Sequence, residues 1–129
     1  MEHHKQVSSK EGLAALDRIR QICMELPEVT EEIDGFGHTS FRVKDKPFVM
    51  MGENKEGVSA AIKTLPTTQE FLIQQPGYFK TPYIGQHGWT SLFIIENQNW
   101  EDLKGYIYEG YCRAAPKRLS KLISNAEIH

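Results

Sequence analysis

The sequence predicts an α+β domain in two layers, an antiparallel β-sheet covered mainly on one face by helices, in the order α-β-β-β-β-α-β-β-α. Three observations carry that prediction. Leu13, Leu16, Ile19, Cys23 and Leu26 recur at helical spacing near the start, as do Trp100, Leu103, Ile107, Tyr111 and Ala114 near the end. Between these stripes, short segments alternate apolar with polar residues and are separated by turn chemistry, the pattern of a meander with one covered face. The 129 residues suit one domain, and 40% hydrophobic with 25% charged residues is ordinary for a globular chain.

Residues 1–7 are expected as a flexible N-terminal tail and 8–129 as the single domain. Ser8 or Ser9 caps the first helix, because a serine oxygen accepts from an otherwise unpaired first-turn amide. That helix runs to about Leu26 and stops at Pro27. Strands follow over Glu31–Phe36, Thr39–Val43, Pro47–Glu53 and Gly57–Lys63. Their turns fall at Gly35/Gly37, Lys44-Asp45-Lys46 and Asn54-Lys55-Glu56. Phe41 and Val43 face inward from the second strand, Phe48 and Met50 from the third, and Val58, Ala60 and Ile62 from the fourth.

Thr67 or Thr68 caps a short helix through Gln75, directing Phe71, Leu72 and Ile73 inward, and Pro76-Gly77 stops it. Extended segments around Phe79–Tyr83 and Trp89–Ile95 return to the sheet. Asn97 or Asn99 caps the last helix, which continues to Ala114. Pro116 interrupts it and leaves Lys117–Ile123 as a short extra turn.

A net charge of −2 argues against a uniformly basic nucleic-acid binder, although steering depends on where the charges sit. The two cysteines, Cys23 and Cys112, lie on or beside the helical stripes and read as buried free thiols. The N-terminus has no apolar signal core and no segment reaches membrane-spanning length, so a cytoplasmic location without a membrane partner is expected.

Catalytic chemistry is not expected. Ser40 near His38 lacks an oriented acid and an oxyanion hole, so it makes no triad. Gly52-Glu53-Asn54-Lys55-Glu56-Gly57 lacks the ending of a phosphate loop. His38 and His87 adjoin glycines but have no zinc spacing, and the cysteines form no CxxC pair, so neither metal nor cofactor is expected. Glu28, Glu31, Glu32 and Asp34 form an acidic cluster that reads as a solvated loop and strand edge.

The segment Tyr83-Ile84-Gly85-Gln86-His87-Gly88-Trp89 is the most distinctive part of the chain. Its two glycines allow a tight bend of positive φ, and Trp89 leads into the apolar run Leu92-Phe93-Ile94-Ile95. Joined with Leu26-Pro27-Glu28-Val29, Gly37-His38-Thr39-Ser40-Phe41, Val43-Lys44-Asp45-Lys46-Pro47-Phe48 and Ala115-Pro116-Lys117-Arg118-Leu119, it resembles the MmcQ/YjbR family over roughly residues 10–123. The resemblance implies an antiparallel sheet covered by helices, a secretion-chaperone-like arrangement also compared with double-wing DNA-binding folds. Members of the family are often called DNA-binding proteins.

The expected function is therefore that of a non-catalytic domain binding DNA weakly and largely without sequence preference. Lys44, Lys46, Arg113, Lys117 and Arg118 are the candidate phosphate contacts, with Lys80 and Lys121 as further cations. Lysines also decorate hairpin tips and helix ends simply because they are soluble there. Two alternatives use other surfaces. One is a protein-interaction module built on the sheet's wetter face or an edge. The other is a small-molecule pocket centred on the Tyr83–Trp89 loop, lined by His38, Tyr83, His87 and Trp89; there too a simpler role exists, Trp89 anchoring a turn to the core.

Overall fold

Ser9 begins the first helix: its Oγ accepts from the Gly12 amide at 2.9 Å, capping α1 (Lys10–Met24). The Glu53 carboxylate adds to this cap by accepting the Ser8 and Ser9 amides at 2.9 and 3.0 Å, which ties the helix start to the sheet. The structure, a computed structural model, describes residues 6–127. After α1 come β1 (Val29–Ile33), β2 (Thr39–Val43), β3 (Lys46–Asn54) and β4 (Gly57–Lys63). Then follow α2 (Pro66–Leu72), β5 (Tyr78–Lys80), a 3-10 turn (Gly85–His87), β6 (Trp89–Phe93), α3 (Trp100–Ala114) and α4 (Lys117–Glu127).

The six strands form one antiparallel sheet in the order β1-β2-β3-β4-β6-β5. Lys44 and Asp45 both take positive φ, 51° and 65°, making the two-residue turn that joins β2 to β3 with the twist a hairpin requires. Phe41 pairs with Val49 but Arg42 pairs with Pro47, so Phe48 is an extra residue bulged into β3. The bulge puts both Phe48 and Val49 into the core and inverts the alternation beyond it.

One sheet face, carrying Phe41, Val49, Met51, Ala60, Ile62 and Leu92, lies beneath α1 and α3. Helix α3 comes close because residue 110 is glycine: a Cβ there would stand 3.2 Å from the carbonyl oxygens of Lys63 and Phe48. Tyr111 meets Phe48 edge-to-face at 5.6 Å, and its hydroxyl donates to the Pro27 carbonyl at 2.9 Å. Arg18 of α1 covers the Trp100 ring at 4.8 Å. Leu119 carries α4 into the same core.

The two-layer α+β class and the element order through α3 agree with the sequence reading, and several details differ. Residues 117–127 form a full helix rather than a short extra turn, since Leu119 gives them an apolar anchor. Leu13 is exposed, and Ala15 and Gly12 complete the buried stripe of α1. The bulge makes Met51, not Met50, the inward residue of β3. Strand β1 lies earlier than expected, leaving Phe36 in a turn.

Helix α2 begins at Pro66 after Leu65, without a threonine side-chain cap. Thr68 donates instead to Glu109 Oε1 at 2.9 Å, while Glu109 Oε2 accepts the Leu65 amide at 2.8 Å. Leu72 of that helix is buried, whereas Phe71 and Ile73 are exposed. Val7, assigned by sequence to the tail, is buried against α1. Residues 1–5 of that tail lie outside the described residues.

Candidate functional site

The helix-free face of the sheet holds the candidate site. Because side chains alternate across a strand, the residues flanking the core positions point there: Met50 and Gly52 from β3, Ser59 and Ala61 from β4, Ser91 and Phe93 from β6, Phe79 from β5. Most are small, so the sheet surface sits low. Two connections rise beside it. The β1–β2 turn supplies Asp34, Phe36 and His38, and the segment after β5 supplies Thr81, Pro82, Tyr83 and Ile84. The result is an open trough of about 720 Å³.

Each wall carries an aromatic ring turned to solvent. Phe36 is 82% exposed and Tyr83 87% exposed, far more than packing would leave. Phe36 follows from the Asp34–Gly37 turn, in which Asp34 Oδ1 accepts the Phe36 and His38 amides at 2.8 and 3.0 Å. Asp34 Oδ2 lies 3.4 Å from His38 Nδ1. Burial pushes the Asp34 carboxyl up, but those amides and the imidazole outweigh it and hold it below its ordinary value. Tyr83 takes φ +69°, a region that costs a residue with a Cβ of the order of 1 kcal/mol. On the floor, Thr81 and Ser91 share a hydroxyl hydrogen bond of 2.8 Å.

Of the sequence-assigned ligand residues, His38 and Tyr83 line the trough, and His87 and Trp89 do not. Trp89 is buried, and the loop around it is a structural knot. Gly88 takes φ +93°, with its carbonyl accepting the Thr64 amide at 3.1 Å and the Thr64 hydroxyl at 2.7 Å. Gln69 donates from α2 to the carbonyls of Gly85 and Trp89 at 2.8 and 2.9 Å. Arg113 donates to the carbonyls of Thr64 and His87 at 2.6 and 3.2 Å.

The cations assigned to nucleic acid gather around the β2–β3 turn and the α3–α4 junction, at the strand end away from the β1–β2 and β3–β4 turns. Lys44 Nζ and Arg118 Nη1 share the Glu28 carboxylate at 2.6 and 3.1 Å, which lowers the pKa of Glu28. Arg113 is committed to the carbonyls just described, and Lys46 and Lys117 are exposed. Lys63, absent from the sequence assignment, lies among them. Burial, then Arg113 and Lys46, depress its pKa.

The acidic cluster is divided among cations. Glu28 holds Lys44 and Arg118, Arg20 grips Glu31 through two hydrogen bonds of 2.7 and 2.8 Å, and Arg42 Nε lies 3.8 Å from Glu32. Among the described residues no three His, Cys, Asp or Glu side chains gather as a metal-binding set. Cys23 is a buried free thiol pushed upward in pKa by desolvation, and Cys112 is a free, half-buried one. Among the described residues no helix is long and apolar enough to cross a membrane. A smaller recess of about 420 Å³ separates α2 from the start of α3, with Phe71, Tyr78 and Tyr106 on its walls.

Sequence reasoning missed Phe36, the trough floor and Lys63. A large apolar residue between two glycines, Gly35-Phe36-Gly37, was a local sign of an aromatic at a turn tip. The floor had no such sign, since Ser59, Ala61 and Ser91 become neighbours through strand pairing alone.

Comparison with known proteins gives matches of different reach. The YjbR family model matches residues 24–113, from the end of α1 almost to the end of α3. Among solved structures, a Deinococcus radiodurans protein, DR2400, described as a DUF419 domain, superposes with a TM-score of 0.69. It shares 18% identity over 86% of each chain, which speaks for the fold alone. No curated protein matches the chain significantly.

Proposed function

The chain belongs to the YjbR family, and we propose that it works as a binding module without a catalytic step of its own, taking its partner in the trough on the helix-free face. The observation that carries this is the pair of solvent-turned rings, Phe36 and Tyr83, standing on opposite sides of a low apolar floor. An exposed aromatic costs solvation free energy, which is recovered when a partner covers it, and the backbone strain at Tyr83 is maintained for a ring turned to solvent. The trough's size falls within the range that holds a small molecule or a short chain segment.

Chemical-shift mapping on the full chain tests the reading. Indole and a short apolar peptide, added separately, should perturb the amides of Met50, Ser59, Ala61 and Ser91. Tyr83→Asn should weaken both, because it removes the ring while asparagine accepts a positive φ. Silence of the trough amides toward every probe, with the protein folded, would retire the proposal.

A second reading is supported by the cations around the β2–β3 turn and Arg113. Burial, and then the nearby Arg113 and Lys46, depress Lys63, and a phosphate among the three would relieve the repulsion between them. DNA binding there would be weak, largely indifferent to sequence and strongly salt-dependent, since charge neutralisation supplies the affinity. Fluorescence anisotropy with unrelated duplexes and single strands at two salt concentrations tests it. Changing Lys46, Lys117 and Arg118 together to alanine should reduce binding to every sequence and flatten the salt slope. No binding at low salt would exclude it.

A further inference from the structure

Resting on the trough as the binding site, we infer that its occupant is an extended segment of a partner protein in which a short apolar run is flanked by lysine or arginine. The charge of the trough selects the sign. Among the described lining residues there are two carboxylates, Asp34 and Glu56, one histidine and no lysine or arginine. The two carboxylates stand on the β1–β2 and β3–β4 turns, with the apolar floor beside them. Asp34 stays ionised to below its ordinary range because amides and an imidazole hold its charge in place. A phosphate or an acidic peptide entering here meets like charge, and a lysine or arginine side chain finds a partner beside the apolar floor.

The span selects a chain segment over a single ring. From β3 across β4 and β6 to β5 the floor crosses three inter-strand intervals, about 14 Å in all, the length of roughly four extended residues. One aromatic ring would leave either Phe36 or Tyr83 uncovered. The backbone groups of β3, β4 and β6 are paired on both sides within the sheet, so a segment lying across them is read through side chains. Apolar residues would lie over Met50, Phe79 and Phe93 between the two rings, and the cation at the end nearer the β1–β2 and β3–β4 turns would reach Asp34 or Glu56.

Three blocked pentapeptides of sequence Lys-Phe-Leu-Phe-Lys, Gln-Phe-Leu-Phe-Gln and Glu-Phe-Leu-Phe-Glu, titrated into the isotope-labelled full chain, test the assignment. The lysine peptide should bind about three- to tenfold more tightly than the glutamine peptide at low salt, with the glutamate peptide weakest. The perturbed amides should be those of Met50, Ser59, Ala61 and Ser91. Raising the salt, or replacing Glu56→Gln at its exposed turn, should narrow the difference while leaving the perturbed amides the same. Binding of the glutamate or glutamine peptide as tight as the lysine peptide overturns the charge assignment and leaves the trough standing. Indole perturbing the trough while no peptide does overturns the chain-segment assignment alone. Silence toward peptides and indole alike removes the trough reading with it.

Discussion

Gly88→Ala tests whether the glycine-tryptophan loop is a structural knot. A Cβ at residue 88 would stand 2.3 Å from the Thr64 carbonyl oxygen and 2.7 Å from Arg113 Nη1, both closer than such contacts occur. To restore a contact of about 3.2 Å, the Thr64 carbonyl must retreat by roughly 1 Å, which is enough to break hydrogen bonds of ordinary length. At risk are Arg113 to Thr64 at 2.6 Å, and the Thr64 amide and hydroxyl to Gly88 at 3.1 and 2.7 Å. Losing two of these costs about 2 kcal/mol, and holding alanine at positive φ adds about 1–2 kcal/mol. The expected loss is therefore about 3–4 kcal/mol, a large share of a typical domain's 5–15 kcal/mol.

Urea unfolding followed by tryptophan fluorescence reads this directly, because Trp89 adjoins the substituted residue. With a slope of about 1.5–2 kcal/mol per molar, the midpoint should fall by roughly 2 M. Gly105→Ala is the control: its Cβ would meet nothing within 4 Å, and it lies on the exposed face of α3. It should raise stability by about 0.5–1 kcal/mol. A Gly88→Ala loss below about 1 kcal/mol would refute the reasoning, since it would mean that the loop relaxes without giving up its hydrogen bonds.

Leu103→Ala, at a fully buried position, should cost about 2–5 kcal/mol in urea unfolding. Tyr111→Phe deletes the hydrogen bond to Pro27 and leaves the ring packed on Phe48, so about 0.5–1.5 kcal/mol should be lost. Tyr83→Asn should leave stability unchanged or raise it by up to about 1 kcal/mol, because the ring is exposed and the backbone strain is relieved. Glu53, lowered by the Ser8 amide and then by Ser9, contributes stability that is present above its ordinary value of 4.5 and lost as pH falls through its lower folded value. Urea midpoints should therefore fall on acidification, and Glu53→Gln should reduce that dependence. Lys63 has the opposite character: its charge is disfavoured in the fold, so Lys63→Gln should raise the urea midpoint at neutral pH.

The sequence by itself determined the class and order of the elements, because those rest on local periodicity. Of the two residues offered for each cap, Ser9 and Asn99 are the ones used, and Thr39–Val43 and Gly57–Lys63 are strands to the residue. Helical stripes and alternating strands are written in neighbouring residues, and burial of one face follows from them. Features that depend on pairing across the chain were decided by the tertiary structure. Nothing in Pro47-Phe48-Val49 marks Phe48 as the bulge; the marker is the mismatch with β2, and it reversed the inward position from Met50 to Met51. Residues 117–123 look too short for a helix until Leu119 finds the core.

The candidate site divides in the same way. His38 and Tyr83 were legible from the glycine-flanked segments that contain them. Trp89 and His87, equally conspicuous in sequence, went to a packed turn, because a left-handed Gly88 swings the chain back into the core. The trough itself exists because the sheet brings Ser59, Ala61 and Ser91 side by side, while two turns distant in sequence lift Phe36 and Tyr83 over them. Local sequence fixes where a chain bends and which face is apolar. Which residues then face one another across a surface depends on strand order and register, and those are set by the packing of the whole sheet against α1 and α3.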